Sequence, residues 1–316
     1  MSNYVSNFAK MILEICKEEG IHCTPLSDYW AFQLQYDHTT NYIYGYQFGL
    51  NSAVSHSICS DKSTASQVLS LHHIPNVEHV CCMSPLTMEY ASPFGNWDVI
   101  LKMLETHKQI VCKDNHGTGG NHVFLVSSSL EAENASQIIF STADSMAVSP
   151  YIAVDAEYRV ILLDGEVKLF YTKIRPHLIG NGKSTLAELY VNYITDHQNF
   201  TLTLSKNFTQ HANRILEKGE IFPLQWKHNL GQGASALLLE AGPDTLPILT
   251  LAKETVQALD IRFASVDIVK SQNGYQVLEV NSGVMMEYFS GESHISRTLS
   301  KNIYREALLK MMKKSL

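Results

Sequence analysis

The stretch that decides the fold is FASVDIVKSQNGYQVLEVN, residues 263–281. Two apolar runs, Phe263–Lys270 and Tyr275–Val280, flank the pair Asn273-Gly274. Asn-Gly between two such runs is a strong signal for a tight antiparallel hairpin, because both residues tolerate the positive φ angles that the turn needs. The stretch therefore predicts two paired, largely buried strands.

Polar residues interrupt this buried hairpin at Asp267, Glu279 and Asn281. Alternation along a strand places Glu279 and Asn281 on one face, and Asp267 can reach that face from the paired strand. Two carboxylates and an amide oxygen suit Mg²⁺ bridging nucleotide phosphates. Carboxylates buried without a cation or partner would be costly. The alternative is a hairpin whose acidic face lies in solvent.

A second hairpin is predicted from Gln109–Lys113 and His122–Val126, which flank a glycine-rich run. Lys113 ends the first strand, and small residues after it would let backbone N–H groups approach phosphate oxygens. The run lacks the Walker and Rossmann spacings of glycine. A flexible hairpin tip is the alternative interpretation. The glycines concerned are Gly117, Gly119 and Gly120.

The remaining periodicity predicts mixed helices and antiparallel strands, so the fold class is α/β with α+β lobes. Tyr158–Leu163 and Val167–Lys173 form a third hairpin around Asp164-Gly165. Further strands are expected at His22–Leu26 and around Tyr42–Tyr44. Helices are expected at Phe8–Glu19, Lys62–Leu71, Trp97–Thr106, Ser129–Ser141, Leu186–Thr195, Leu249–Leu259 and Ile295–Lys314.

Positive charge gathers on and after the strands that precede the acidic hairpin. Arginines on strands can hold phosphate or carboxylate groups through two hydrogen bonds at once. Each of these residues taken singly is more often a surface residue, so the set carries the hypothesis. The residues are Arg159, Lys173, Arg175, Lys183 and Lys227.

Composition excludes some function classes. The 316 residues carry a formal net charge of −7, whereas proteins that mainly bind nucleic acid usually show a basic excess. No apolar run approaches the roughly 20 residues needed to span a bilayer, and the start lacks a secretory pattern. Six scattered cysteines are typical of reduced thiols in a cytoplasmic protein. We therefore expect a cytoplasmic protein without nucleic-acid or membrane partners.

In their order along the chain, these features resemble the ATP-grasp ligases. Ser60-Asp61-Lys62 before His73-Ile74-Pro75 resembles the family's DK…gIP segment, and Val111–Asp114 resembles its vKP strand, with Asp114 in place of proline. Glu157–Val160 is similar to its dyRv strand, and the acidic hairpin to its D…E-x-N magnesium triad. The implied fold has two α+β lobes that clamp ATP, preceded by a small α/β domain.

Two later segments resemble one branch of this family. Arg175–Leu186, with Glu188-Leu189, is similar to a segment of cyanophycin synthetases and of the ligase half of bifunctional glutathione synthetases. Lys227–Leu230 with Gly231 and Gly233 resembles a loop that these proteins share with ribosomal protein S6 glutamate ligases. The implied division of the chain is 1–84 as N-terminal domain, 85–148 as lid lobe and 149–316 as C-terminal lobe with the metal site.

The resemblance also implies roles for individual residues. Lys62 and Lys113 would bind the ATP phosphates under the loop at Gly117–Gly120, while a hinge would hold adenine and Glu157 would lie near the ribose or substrate. Ser149-Pro150 departs from the glutamate that many relatives have at the hinge. Metal ligands would be Asp267, Glu279 and Asn281. The phosphate loop also includes Thr118, Gly119 and Gly120, and the hinge comprises Pro150, Tyr151 and Ile152. The implied catalytic residues are Arg159, Arg175, Lys227 and Asn229.

The activity implied is ATP- and Mg²⁺-dependent ligation of a carboxylate to an amine, on an amino acid or small peptide, with Mn²⁺ as an alternative ion. A closed site would protect the acyl phosphate from water. A kinase on the same scaffold and a nucleotide-binding regulatory protein without turnover are the alternatives. The resemblance is compatible with a homodimer, and the sequence leaves the acid and the amine open.

Overall fold

The structure is a computed structural model that describes residues 5–87, 97–196, 204 and 206–313. Helices and antiparallel strands alternate through these residues, as the sequence predicts. The described helices are α1 (Asn7–Glu19), α2 (Ala53–Ser60), α3 (Lys62–Leu71), α4 (Trp97–His107), α5 (Ser129–Phe140), α6 (Leu186–Asp196), α7 (Lys206–Gln210), α8 (Leu246–Ala258), α9 (Glu287–Glu292) and α10 (His294–Met312).

The described strands form four sheets. All seven predicted helices and all predicted strands are present within a few residues of their expected bounds; the expected end of the last helix, Lys314, lies outside the described residues. The strands are β1 (His22–Leu26), β2 (Ala31–Tyr36), β3 (Thr39–Tyr44), β4 (Val80–Met83), β5 (Ile110–Asp114), β6 (Val123–Val126), β7 (Ser145–Pro150), β8 (Ala156–Leu163), β9 (Glu166–Ile174), β10 (His177–Ile179), β11 (Ile221–Pro223), β12 (Ser235–Leu238), β13 (Phe263–Ser271) and β14 (Gly274–Asn281).

Chain contacts divide the protein into two compact units. The first unit comprises residues 1–170 and 240–316, and the second comprises residues 171–239. Strand β9 leaves the first unit after Phe170. The three-part division expected from the sequence stays a prediction. No described helix has the length and apolarity that crossing a membrane would require.

In the first unit, β4, β7, β5 and β6 form a sheet in that order, and each neighbouring pair is antiparallel. One face of this sheet packs on α4 and α5 through an apolar core that includes Cys82, Cys112 and Ile139. Alternation places Cys81 and Lys113 on the opposite face, in one row with Ala147. That opposite face carries the basic side of the candidate site.

A second sheet of the first unit contains β8, β13 and β14, with β13 in the middle. Strand β13 is buried along almost its whole length, and its Val266 and Ile268 pack with Val277 and Val280 of β14. The free edge of β14 is extended by Pro75–Val77, because the N–H of Val77 donates to the carbonyl of Val277 at 2.9 Å. The segment after α3 is thereby fixed beside the acidic strand.

The sheet β1-β2-β3 completes the first unit, where α10 contacts β3 and α1. Helix α1 has the predicted apolar stripe and ends at Gly20, whose φ of 67° lies in the left-handed region. Helix α3 begins at the predicted cap, where the Asp61 carboxylate accepts from the N–H of Thr64 at 2.8 Å. This cap orients Lys62, the first residue of α3.

The second unit has its own small core. It is formed by Leu178, Leu186, Phe208, Leu216, Phe222 and Leu224. Strands β10 and β11 pair within it, and β12 pairs with the final residues of β9.

Candidate active site

Three charged side chains stand in one row across three strands of the first unit. Asp267 of β13 lies opposite Arg159 of β8 on one side and Glu279 of β14 on the other. A regular ladder counted from the Asn273-Gly274 turn would place Leu278 opposite Asp267. An irregularity between Asp267 and Ile268 shifts the register by one residue. The bulge therefore brings Glu279 opposite Asp267, as bulges beside active sites often do.

Arg159 and Asp267 form a buried ion pair. Nε of Arg159 donates to Oδ1 at 2.7 Å, and Nη2 donates to Oδ2 at 2.6 Å. The Asp267 side chain is only 6% exposed, so the guanidinium offsets much of the cost of burying this carboxylate. The sequence predicted that Arg159 would hold an acyl phosphate. That role stays a prediction, and the pairing with Asp267 is a contact that the sequence did not reveal.

The arrangement fits a divalent cation with oxygen ligands. Asn281 stands opposite Ser265, two residues along from the Asp267–Glu279 pair and on the same face. Each carboxylate oxygen has a second lone pair, so Asp267 can accept from Arg159 and still bind an ion. Within the described chain, no group of three or more His, Cys, Asp and Glu side chains could hold a metal. An ion here would depend on the asparagine oxygen as well.

Lys113 ends β5 and is almost fully buried, with 7% exposure. Burial lowers the pKa of Lys113 to about 8, because desolvation disfavours the ammonium more than the nearby Glu279, Glu157 and Asp267 favour it. Lys62 is also close enough to lower this pKa. A buried lysine whose pKa is lowered in this way would bind an anionic ligand strongly, since the negative charge of the ligand would favour the protonated ammonium.

Lys62 connects the basic and acidic parts of the site. Its ammonium donates to the carbonyl of Asn115 at 3.2 Å and to that of Gly117 at 2.6 Å. The same nitrogen lies 4.0 Å from Oε1 of Glu279. The structure thus places Lys62 of α3 and Lys113 of β5 near Glu279, one of the predicted metal ligands.

The glycine-rich loop is anchored at its start and exposed at Thr118 and Gly119. Asn115 is 1% exposed, and its Oδ1 accepts from the N–H of Ser63 at 3.2 Å, so it caps α3 from a distant hairpin. A Cβ on Gly117 would lie 2.8 Å from Cβ of Asp114, so this position excludes larger residues. Thr118 and Gly119 are exposed, and Gly119 and Gly120 have positive φ angles. Sequence reasoning missed Asn115, whose only signal was its place in a turn-forming run.

The predicted hinge continues from β7. Pro150 pairs with Ile110, and the N–H of Tyr151 donates to the carbonyl of Gln109 at 3.0 Å. Both residues and Ile152 are half-buried. Glu157 is 8% exposed and stands two residues before Arg159 on β8, hence on the same face. The adenine and ribose roles of these residues stay predictions.

Arg175, Lys227 and Asn229 belong to the second unit. Burial, followed by the charges of Arg175 and Lys173, lowers the pKa of His228 to about 3. Burial also lowers the pKa of Lys227. The Asn229 side chain accepts from the N–H of Gly231 at 2.8 Å and begins a short 3-10 turn. Cationic side chains therefore gather in this unit too, and their catalytic roles stay predictions.

The segment Arg175–Leu186 contains structural features that account for several of its residues. Gly180 has no room for a side chain, because a Cβ would lie 2.0 Å from the carbonyl oxygen of Glu217. Asn181 accepts from two following N–H groups, which forms a tight turn. Thr185 and Glu188 then hydrogen-bond each other's backbone N–H in a capping box that begins α6.

Comparison with known proteins shows distant likenesses over most of the chain. No family model matches the sequence. Cyanophycin synthetase from Trichormus variabilis is 24% identical over 294 residues, which are 87% of this chain and 31% of that protein. The chain therefore spans about a third of the length of this curated relative.

Solved structures share the fold at low identity. A bifunctional glutathione synthetase from Pasteurella multocida matches with a TM-score of 0.57 and 17% identity, over 96% of this chain and 45% of that one. A D-alanine–D-alanine ligase from Bacillus anthracis matches with a TM-score of 0.51 and 16% identity, over 83% of this chain and 72% of that one. The chain is thus similar in sequence to a cyanophycin synthetase, and it shares the fold of these two ATP-grasp ligases.

Proposed function

We propose that the protein is an ATP- and Mg²⁺-dependent ligase that joins a carboxylate to an amine through an acyl phosphate. The observation that carries the proposal is the facing pair Asp267 and Glu279, with Lys62 4.0 Å from Glu279 and the buried Lys113 close by. Acids that can hold a cation beside lysines that can hold phosphates form the site that phosphoryl transfer needs.

The proposed reaction has two steps. A carboxylate oxygen of the acid attacks the γ-phosphorus of ATP, the bond to the β-γ bridging oxygen breaks, and ADP leaves. The amine then attacks the carbonyl carbon of the acyl phosphate, loses a proton, and inorganic phosphate leaves. By analogy with the named relatives, we propose an amino acid or a small peptide as the substrate class.

The residues of the first unit supply binding and orientation in this scheme. Asp267, Glu279 and Asn281 would hold Mg²⁺, which neutralises charge on the nucleotide phosphates when bound. Lys113 and Lys62 would bind the phosphates, and the loop at Gly117–Gly120 would exclude water from them. Arg159 orients Asp267, because it binds both of its oxygens.

Arg175 and Lys227 are proposed as catalytic side chains, because cations stabilise the negative charge that develops during acyl transfer. Asn229 is proposed to line the phosphate site.

The experiment is a screen of paired amino acids and short peptides for release of ADP and phosphate, with mass spectrometry of the product. A joined product that needs both ATP and Mg²⁺ is the expected result. For an active pair, Glu279→Gln should lower turnover by about a hundredfold or more, because it removes one ligand charge. The control is Asp244→Asn at an exposed position, which should leave turnover unchanged.

Other outcomes would change the proposal. A stable phosphorylated product without a joined one would indicate a kinase. Tight ADP binding without turnover on any pair would indicate a regulatory protein. Full turnover in Glu279→Gln would remove the metal assignment.

A further inference from the structure

Helix α2, which the sequence did not predict, contacts the acidic strand β14. Asn51 comes directly before the residue that caps this helix, and His56 lies within the helix. The side chains of Asn51 and His56 both reach Ser282, one at its carbonyl oxygen and one at its hydroxyl. Ser282 follows directly after Asn281, the third of the proposed metal ligands.

Asn281 stands where the ladder between β13 and β14 ends. Its pairing with Ser265 is the last pair of that ladder, whereas β13 continues to pair with β8 as far as Phe263. The backbone groups of Phe263 that point away from β8 therefore need another partner on the side of β14. The end of a strand frays easily when such groups are not bonded.

The side chain of Asn51 takes the place of a strand partner there. Its Oδ1 accepts from the N–H of Phe263 at 2.9 Å, and its Nδ2 donates to the carbonyl of Phe263 at 2.8 Å. Oδ1 also accepts from the N–H of Arg262 at 3.0 Å, and Nδ2 donates to the carbonyl of Ser282 at 3.3 Å. All hydrogen-bonding positions of the amide are used in this way. Asn51 thereby ties Ser282 to the start of β13.

His56 holds Ser282 through the side chain of the serine. Nδ1 of His56 lies 2.5 Å from Oγ of Ser282. Ser282 is only 4% exposed, so water does not readily replace this hydrogen bond if it is lost. The carbonyl and the hydroxyl of one residue are thus held by two side chains from the same part of the chain.

Helix α2 is itself fixed to the strand that carries Asp267. Oγ of Ser52 accepts from the N–H of Ser55 and caps the helix. Oγ of Ser55 donates to the carbonyl of Asp260 at 2.9 Å, shortly before β13 begins. The contacts with Ser282 are therefore made from a helix that is held in place at its start.

The place of the Asn281 amide depends on its backbone. Within the described residues, the Asn281 side chain makes no hydrogen bond, whereas Asp267 is oriented by two bonds from Arg159. A metal site needs its ligand distances correct to about 0.2 Å. Residues that orient ligands without touching the metal change its affinity by about 10–100-fold when they are replaced.

We infer that Asn51 and His56 are positioning residues for Asn281. By fixing Ser282 they hold the end of β14, so that the Asn281 amide oxygen faces the ion that Asp267 and Glu279 bind. Neither positioning residue touches the ion or the nucleotide in this scheme. The inference rests on the proposed function for its metal-binding consequence only.

Binding of Mn²⁺ to the full chain tests this role without turnover. Electron paramagnetic resonance of free Mn²⁺ follows the titration, with and without ADP. Asn51→Asp keeps an oxygen for the N–H groups of Arg262 and Phe263 but cannot donate to Ser282. We expect it to weaken Mn²⁺ binding by about tenfold. Unchanged Mn²⁺ affinity in Asn51→Asp would overturn the inference.

A pair of substitutions at His56 tests the second contact independently, and it suffices if Asn51→Asp does not fold. His56→Asn keeps a polar atom at the δ position for Ser282, so its Mn²⁺ affinity should stay within about twofold of the natural value. His56→Leu removes that atom and should weaken binding by about tenfold. Equal Mn²⁺ affinities in the two variants would overturn the role of His56.

A control separates positioning from general destabilisation. Oγ1 of Thr255 is fully buried in α8 and donates to the carbonyl of Leu251 at 2.7 Å. Thr255→Val removes this bond far along the chain from Ser282, and it should lower the midpoint of thermal unfolding without changing Mn²⁺ affinity. Weaker Mn²⁺ binding in Thr255→Val, to the same degree as in His56→Leu, would overturn the inference.

Hydrogen exchange without any ligand separates failure of this inference from failure of the proposed function. We expect His56→Leu and Asn51→Asp to speed exchange of the amides at 281–284 by about tenfold, and those at 275–279 much less. Unchanged exchange at 281–284 would overturn the inference even in an active ligase. A natural protein that binds no Mn²⁺, with or without ADP, would refute the proposed metal site and leave the exchange result intact.

Discussion

The hairpin β13–β14 and the hairpin β5–β6 carry the acidic and the basic parts of the candidate site, and they are held in different ways. The acidic hairpin has a short turn and a long buried ladder, so the strand register itself places Asp267 opposite Glu279. The basic hairpin has four paired positions and a long loop. That loop is placed by contacts from α3, through Lys62 and Ser63.

This difference shows that the acidic part of the site is held more rigidly than the basic part. Ladder hydrogen bonds and buried neighbours fix the acids before any ligand arrives. The start of the loop is held on α3 by side-chain hydrogen bonds of Lys62 and Asn115, which local opening can break more easily than a buried ladder.

The buried ion pair between Arg159 of β8 and Asp267 of the acidic hairpin should have the largest effect. Arg159→Met removes both hydrogen bonds from the guanidinium to the buried Asp267, and we expect a loss of about 3–5 kcal/mol in the free energy of unfolding. Urea unfolding measures it. The matched control is Arg262→Met, which breaks an arginine–aspartate pair with Asp164 at a more exposed place and should cost less than about 1 kcal/mol. Equal losses would show that burial does not strengthen the Arg159 pair.

Titration of Lys113, in the basic hairpin, should change stability and nucleotide affinity in opposite directions. Because its folded pKa is about 8 and its ordinary value is 10.5, the unfolded chain binds more protons between these pH values. Stability attributable to Lys113 should therefore rise from pH 8 towards pH 10.5, on the order of a few kcal/mol. Nucleotide affinity should fall over the same range, because the ammonium is lost.

Unfolding and ATP titrations at pH 7 and pH 9 test both trends. Lys113→Met should remove this part of the pH dependence from each measurement. An unchanged pH dependence in that variant would assign it to another group.

The attachment of the loop should be weaker than the buried pair. Lys62→Met removes the two hydrogen bonds to Asn115 and Gly117, and we expect about 1.5–3 kcal/mol less protection of the loop amides in hydrogen exchange. The β13–β14 amides should change much less. Lys253→Met, at an exposed position of α8, is the control. Uniform loss of protection in both hairpins would contradict the difference between them.

The cap of α3 should have the smallest effect. Burial raises the pKa of Asp61, but hydrogen bonds from Thr64 and Ser63 outweigh it, and the net pKa is lowered. A lowered folded pKa means that the stabilisation is present above the unfolded value near 3.9 and is lost as the pH falls through the folded value. Asp61→Ala should cost about 1 kcal/mol at pH 7 and less at pH 3. Asp61→Asn, which keeps a cap, should show little of this pH dependence.

Sequence patterns predicted the elements around the site well where local signals are strong. Asn273-Gly274 and Asp164-Gly165 predicted two hairpins, and Asp61 predicted the start of α3. The structure confirms all three elements. Strand β2 was missed because its glutamines break the apolar run. Strand β4 was missed because a four-residue strand has too few positions for a period to show.

The contacts within the site were less predictable. The facing of Asp267 and Glu279 was expected, but the bulge that produces it was not, because a one-residue shift in pairing has no local signature. The bidentate pair of Arg159 with Asp267 joins residues 108 positions apart. Asn115 was not recognised, since a lone asparagine in a turn carries no distinctive pattern.

By itself the sequence determined the α/β class, the three hairpins and the identity of the charged residues, because turn chemistry and alternation act between neighbours along the chain. Only the tertiary structure decided which charges meet. Pairing register, the extension of β14 by Pro75–Val77 and the docking of the loop on α3 depend on residues far apart in sequence, whose contacts form only when the strands and helices pack.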